Sequence, residues 1–131
     1  DLVPRNDDSY EEVFGLDRLE EILTESDIVV LTLPLTDQTR HLIDGEKLKK
    51  MKLGAILVNI ARGAIVDTEA LIQVLPNLGG VILDVFEEEP LEEESILWDM
   101  ENVIVTPHNS FVGDGNRKRL NEVILGNLEE D

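Results

Sequence analysis

The chain has 131 residues and a formal charge of −18, with 29 acidic side chains against 11 basic ones. That length bounds it to one domain or part of one, and the charge argues against nucleic acid or an anionic membrane as a partner, because both would be repelled. Cysteine is absent, which excludes disulfides, thiolate nucleophiles and thiolate metal sites. No apolar run approaches the roughly 18 residues of a membrane span, and the amino terminus lacks the basic-then-apolar order of a signal peptide, so a cytoplasmic setting is expected.

Along the chain, helical and strand patterns alternate. In "LDRLEEILTESD", Leu16, Leu19, Ile22 and Leu23 recur at helical spacing, and "IVVLTLP" follows as a buried strand stopped by Pro34. "DGEKLKKMK" predicts a short helix capped by Asp44, with Gly54 handing over to the strand "AILVNI". "DTEALIQVL" predicts a helix capped by Asp67, and "GGVILDVF" a third strand. After the acidic stretch "EEEPLEEES" comes "NVIVT", a fourth strand ended by Pro107. A last helix places Leu120, Val123, Ile124 and Leu128 on one side. Continuous apolar strands separated by helices imply an α/β fold with a parallel sheet covered on both faces.

Ligands of such sheets bind beyond the carboxyl ends of the strands. The residues just past those ends are Pro34, Arg62, Asp84 with Glu89, and His108. A guanidinium, carboxylates and an imidazole are thereby brought to one edge. Asp84 closes an apolar strand, a costly position for a carboxylate without a partner. The acids of "DVFEEEPLEEES" read first as a solvated charge run, and nothing in the run singles out one of them. His41, in "TRHLID", reads as packing at a helix start, and Trp98 as core or loop anchoring. There is no cluster at metal-ligand spacing, and the acidic loop lacks the pattern of a calcium site.

The ordered motifs "SDIVVLTLPLTDQTRHLI", "LKKMKLGAILVNIARGAIVDTEALIQVL" and "GGVILDVFEEEPLEEESILWDMENVIVTPH", with the closing helix, resemble the nucleotide-binding domain of the D-isomer-specific 2-hydroxyacid dehydrogenases. The resemblance runs from about Leu16 to Leu128 and implies a partial Rossmann-like, doubly wound sheet, with residues 1–131 forming a single partial dinucleotide-binding domain and no substrate domain. It implies NAD, or NADP, as cofactor, and interconversion of a 2-keto acid and a D-2-hydroxy acid. By the same resemblance Arg62 holds the substrate carboxylate, a task suited to a planar fork of donors. His108 is the acid or base, and Glu89 is hydrogen-bonded to it, orienting the ring and favouring its charged form. Asp84 corresponds to the residue that binds the nicotinamide amide. Pro34 and Thr39 correspond to the adenosine and ribose side, and Ile60 and Ala61 to backbone positions beside the cofactor, which Arg62 and His108 also adjoin.

The departures matter too. No G-x-G-x-x-G follows a strand to cradle a pyrophosphate. Asp1 stands where a ribose-binding acid could fall, and Ser110 and Phe111 replace the small residues usual after the histidine. If "IVVLTL" is strand three of the order 3-2-1-4-5-6, it is separated from strand four by strands this chain lacks. An exposed edge then predicts a homodimer or higher oligomer, with strands or helices exchanged between chains. Three readings follow: a dehydrogenase portion inactive in isolation, a non-catalytic self-associating or binding module, and a half completed by a separate polypeptide.

Overall fold

Four strands lie parallel and side by side in chain order: β1 (Ile28–Leu31), β2 (Ile56–Asn59), β3 (Gly80–Leu83) and β4 (Val103–Val105). The structure, a computed structural model, describes residues 13–109. The expected last helix, Asp1, Ser110 and Phe111 lie outside the described residues. Ahead of β1 stands α1 (Leu19–Glu25), and α2 (Gly45–Lys50) and α3 (Thr68–Val74) follow β1 and β2. The result is a Rossmann-like α/β sheet.

The helix boundaries follow local chemistry. Asp44 accepts the Lys47 N–H at 2.9 Å and Asp67 accepts the Ala70 N–H at 2.9 Å, so each carboxylate satisfies an otherwise unpaired amide of the first turn. Gly54, at φ +81°, supplies the left-handed turn into β2. At the amino ends of the strands, Asn102 donates its side-chain amide to Leu75 O and Leu78 O, both at 3.0 Å, tying the short link after α3 to the start of β4.

One face of the sheet carries the core. Val29, Leu31, Leu57, Val81 and Leu83 are buried together with Leu23, Leu48, Leu71 and Val74 of the helices. The opposite face is apolar as well. In register across the sheet, Val30, Val58, Ile82 and Ile104 form an apolar row in which Val30 is 51% and Ile104 57% exposed, and Ile28 beside it is 59% exposed. The described helices pack where their apolar stripes point, and successive crossovers place those stripes on the same face.

The strand order also corrects the reading of "IVVLTL" as strand three. β1 pairs directly with β2, Ile28 opposite Ile56 and Leu31 opposite Asn59, so it is the immediate neighbour of the next strand and has not lost it. Among the described strands the open edges are the outer sides of β1 and β4.

Leu57 is fully buried at the centre of the sheet. Leu57→Ala should cost about 2–5 kcal/mol in urea unfolding, whereas Ile104→Thr should stay within about 0.5 kcal/mol. Equal losses at the two positions would show that the exposed row is covered in solution.

Candidate active site

The carboxyl edge is aligned by the backbone itself. The residue leaving each strand donates its N–H to the last carbonyl of the preceding strand: Ile60 to Leu31 at 3.4 Å, Asp84 to Asn59 at 3.0 Å, and Thr106 to Leu83 at 2.9 Å. The loops therefore depart from matched heights. Each carries at least one of the residues singled out from the sequence.

Beyond β2, the buried Asn59 shapes the turn that presents Arg62. Its Oδ1 accepts the Ala61 N–H at 3.1 Å and its Nδ2 donates to Arg62 O at 3.1 Å. Arg62 is exposed, in extended backbone, with Nη1 donating to Ala61 O at 2.6 Å. Ile60 is partly exposed and Ala61 is buried. Gly63 then passes so close to the next loop that an added Cβ would sit 1.8 Å from the Phe86 carbonyl carbon and 2.3 Å from the Glu87 nitrogen.

Beyond β3, Asp84 is 1% exposed. Its Oδ1 accepts the Thr106 hydroxyl at 2.5 Å and the Asn109 N–H at 2.9 Å, so this buried carboxylate fastens both sides of the turn that holds His108. Glu89 is drawn out of the acidic run. One oxygen accepts the Phe86 N–H at 3.0 Å and the other meets His108 Nδ1 at 2.8 Å. The His108 hydrogen bond, reinforced by the Phe86 N–H, holds the Glu89 carboxyl below its ordinary value of 4.5. An ionised carboxylate only accepts, so Nδ1 carries the proton and a neutral His108 keeps its lone pair at Nε2.

His108 has φ +53°, a left-handed conformation that non-glycine residues adopt at a cost. It lies beside a cavity of about 480 Å³ lined by Phe86, Glu89, Pro90, Leu91, Trp98 and the Val105–His108 segment. Trp98 anchors a loop there, its indole N–H donating to Glu92 O at 2.8 Å.

Beyond β1, Pro34 is exposed, while Thr39 is 2% exposed and works inside its own loop. The Thr39 hydroxyl donates to Pro34 O at 2.7 Å and accepts the Thr36 N–H at 2.7 Å. His41 does not pack at a helix start. It sits in a turn at φ +47°, its N–H donates to Ala64 O at 2.7 Å, and its Nε2 meets Glu87 Oε1 at 2.6 Å. Asn59, Thr106 and Glu87 were not singled out from the sequence; for the first two, a polar residue closing or following an apolar run was the available signal. Among the described residues no cluster of three or more His, Cys, Asp or Glu is arranged to hold a metal, and no helix is long and apolar enough to cross a membrane.

Two outcomes are expected from this geometry. Gly63→Ala must push the loops after β2 and β3 apart and should lower stability by about 1–3 kcal/mol, read from urea midpoints; a neutral result would mean that those loops are not in contact. Because the folded pKa of Glu89 is depressed, its contribution is present above the ordinary 4.5 and lost as pH falls through the lower folded value. The stability margin of wild type over Glu89→Gln should therefore shrink on acidification below 4.5, and a margin independent of pH there would rule out the ionised pair.

The profile of the family described as "D-isomer specific 2-hydroxyacid dehydrogenase, NAD binding domain" matches residues 1–110. An (S)-sulfolactate dehydrogenase of Chromohalobacter salexigens is 44% identical over 129 residues, covering 97% of this chain and 42% of that protein. A glyoxylate reductase of Thermococcus gammatolerans is 52% identical over 112 residues, covering 84% of this chain and 33% of that one. The crystal structure of a probable 2-hydroxyacid dehydrogenase from Rhizobium etli, in complex with NADP, HEPES and L(+)-tartaric acid, superposes with a TM-score of 0.82 at 31% identity, over 98% of this chain and 43% of that one. The chain thus spans less than half the length of these relatives. With a parallel sheet, a histidine–glutamate pair and an arginine gathered at its carboxyl edge, and with these likenesses along nearly its whole length, the chain belongs to the D-isomer-specific 2-hydroxyacid dehydrogenase family, within the NAD-binding domain.

Proposed function

We propose that the chain forms the catalytic edge of an NAD- or NADP-dependent D-2-hydroxyacid dehydrogenase, interconverting a 2-keto acid and a D-2-hydroxy acid. The observation that carries this reading is His108 Nδ1 held at 2.8 Å by Glu89, with Arg62 leaving β2, the neighbour of the strand that Glu89 follows, along the same edge.

The donor set suits a nicotinamide cofactor. Ile60 and Ala61 offer apolar and backbone contacts beside a ring, the loop containing Pro34 and Thr39 offers a surface for the adenosine and ribose, and Asp84, matched by resemblance to the residue that meets the nicotinamide amide, is here buried and fastens the turn of His108. When bound, the cofactor supplies the hydride that reaches the carbonyl carbon of the substrate in reduction. Arg62 grips the substrate carboxylate and polarises the adjacent carbonyl. His108 delivers a proton from Nε2 to the carbonyl oxygen, and in oxidation takes it back from the hydroxyl. Glu89 fixes the tautomer and stabilises the imidazolium while it is charged. The relatives named for glyoxylate and sulfolactate suggest a small keto acid with no bulky side chain as the first substrate to try.

These 131 residues contain no glycine fingerprint, so weak nucleotide binding and no turnover are proposed for the chain by itself. A polypeptide supplying the fingerprint and a substrate domain should complement it. In that mixture NADH-dependent reduction of glyoxylate should appear, and Arg62→Gln should lower kcat/KM by about 100-fold or more, the scale of losing one transition-state donor. Reduction unaffected by Arg62→Gln would overturn the assignment of that residue, and no nucleotide binding by the complemented pair would overturn the dehydrogenase reading.

A second reading, self-association, is favoured by Ile28 and Val30 lying exposed on β1 at one edge of the described sheet and Ile104 on β4 at the other. It expects a dimer or larger species by light scattering. A stable monomer at low micromolar concentration would reject it.

A further inference from the structure

The described residues contain two non-glycine positions with positive φ, and they are the chain's two histidines, His41 at +47° and His108 at +53°. Each meets a glutamate of the same short loop, His41 with Glu87 and His108 with Glu89. Glu88 alone separates the two glutamates. Strained backbone persists only where its surroundings over-determine it, and here the same loop secures both strained residues.

Glu87 is well placed to transmit position. One of its oxygens takes His41 Nε2 at 2.6 Å and the other accepts the Thr68 N–H at 2.9 Å, so it joins the loop after β1 to the start of α3. His41 is itself fixed from behind, donating its backbone N–H to Ala64 O at 2.7 Å, while Asp67 N–H reaches Ile43 O at 3.1 Å and Ile43 pairs with Val66 in an isolated parallel bridge. On the far side, the Gly63 backbone lies against Phe86 and Glu87. The Phe86 N–H in turn holds the oxygen of Glu89 that does not face His108. A continuous series of contacts thus runs from the turn after β1 through three further loops to the imidazole of His108.

We propose that His41 and Glu87 are positioning residues whose contact holds the loop after β3 so that Glu89 meets His108 Nδ1. The inference rests on the reading of His108 as the acid–base group, but its test does not need turnover. Burial pushes the Glu87 carboxyl up, yet the hydrogen bonds from Thr68 and His41 outweigh it and leave Glu87 below its ordinary 4.5. Near neutral pH it is therefore an ionised acceptor, and His41 Nε2 is the donor.

With two histidines in the chain, the ¹⁵N imidazole signals of each are separable by NMR, and single substitutions assign them. In the wild-type chain, neutral His108 should show one tautomer, protonated at Nδ1. In His41→Ala the His108 signals should move toward a mixture containing the Nε2–H form, while the amide spectrum remains that of a folded protein. His41→Gln, whose amide can donate to Glu87, should restore the single tautomer. A purely structural role for His41 would leave the His108 tautomer where it was, and either that result or a failure of His41→Gln to restore it would overturn the proposal. Should His41→Ala lose the native spectrum, Glu87→Gln asks the same question at nearly constant shape: a mixed tautomer supports the strut, and an unchanged one refutes it. A tautomer that responds in the chain, together with a complemented pair that neither binds nucleotide nor reduces keto acids, would keep the strut and discard the dehydrogenase reading.

Discussion

A carboxylate with 1% of its surface exposed sits at the point where the sheet meets its loops, and the rest of the edge is arranged around it. Burying such a group without partners costs several kcal/mol, and Asp84 meets that requirement by drawing in the Thr106 hydroxyl and the Asn109 N–H from the neighbouring strand's exit. The requirement and the proposed site coincide. Satisfying Asp84 closes the turn that contains His108, and that turn in turn brings the imidazole to Glu89. Asn59 does the corresponding work one strand earlier, spending both ends of its buried amide on the Ala61 and Arg62 backbone. Two polar side chains set into an apolar sheet thereby set the departure of the two loops that carry Arg62 and His108.

The excess of negative charge takes on a more specific meaning at this edge. Most of the acids between residues 87 and 94 are exposed and belong to the solvated surface. Glu87 and Glu89 are different because each faces a histidine and also accepts a backbone N–H. Bonds of that kind stabilise the ionised form, and an ionised carboxylate dictates which imidazole nitrogen carries the proton. The acidic run therefore supplies orientation at two residues and solubility at the others.

Much of the fold was readable from residue patterns because the patterns are local. The caps Asp44 and Asp67, the breaks at Gly54 and Pro107, and the four apolar runs each declare themselves within a few residues. What an apolar run does not carry is its address in the sheet. "IVVLTL" has the composition of any buried strand, and only the pairing of Ile28 with Ile56 fixes its place beside β2. Nor does composition tell the two faces apart: Val30 and Ile104 are as apolar as Val29 and Val81, and only the packing of the described helices distinguishes them. At the site, Arg62, Asp84 and His108 could be found because strand ends mark them. His41 could not be understood that way, since its partner Glu87 lies two strands further along the chain and its left-handed backbone leaves no mark in composition.

The strictly sequential order of the strands bears on how the sheet assembles. Among the described residues each strand pairs with the one that follows it in the chain, so each of these pairings closes a single crossover. Loop closure of that kind is entropically cheap, and low sequence separation between contacts favours rapid folding. Growth can proceed by adding one strand–helix unit to the edge of the last. The histidine–glutamate pair joins the loops after β3 and β4, the last two described strands, so among the described residues it is completed only when β4 has joined the sheet.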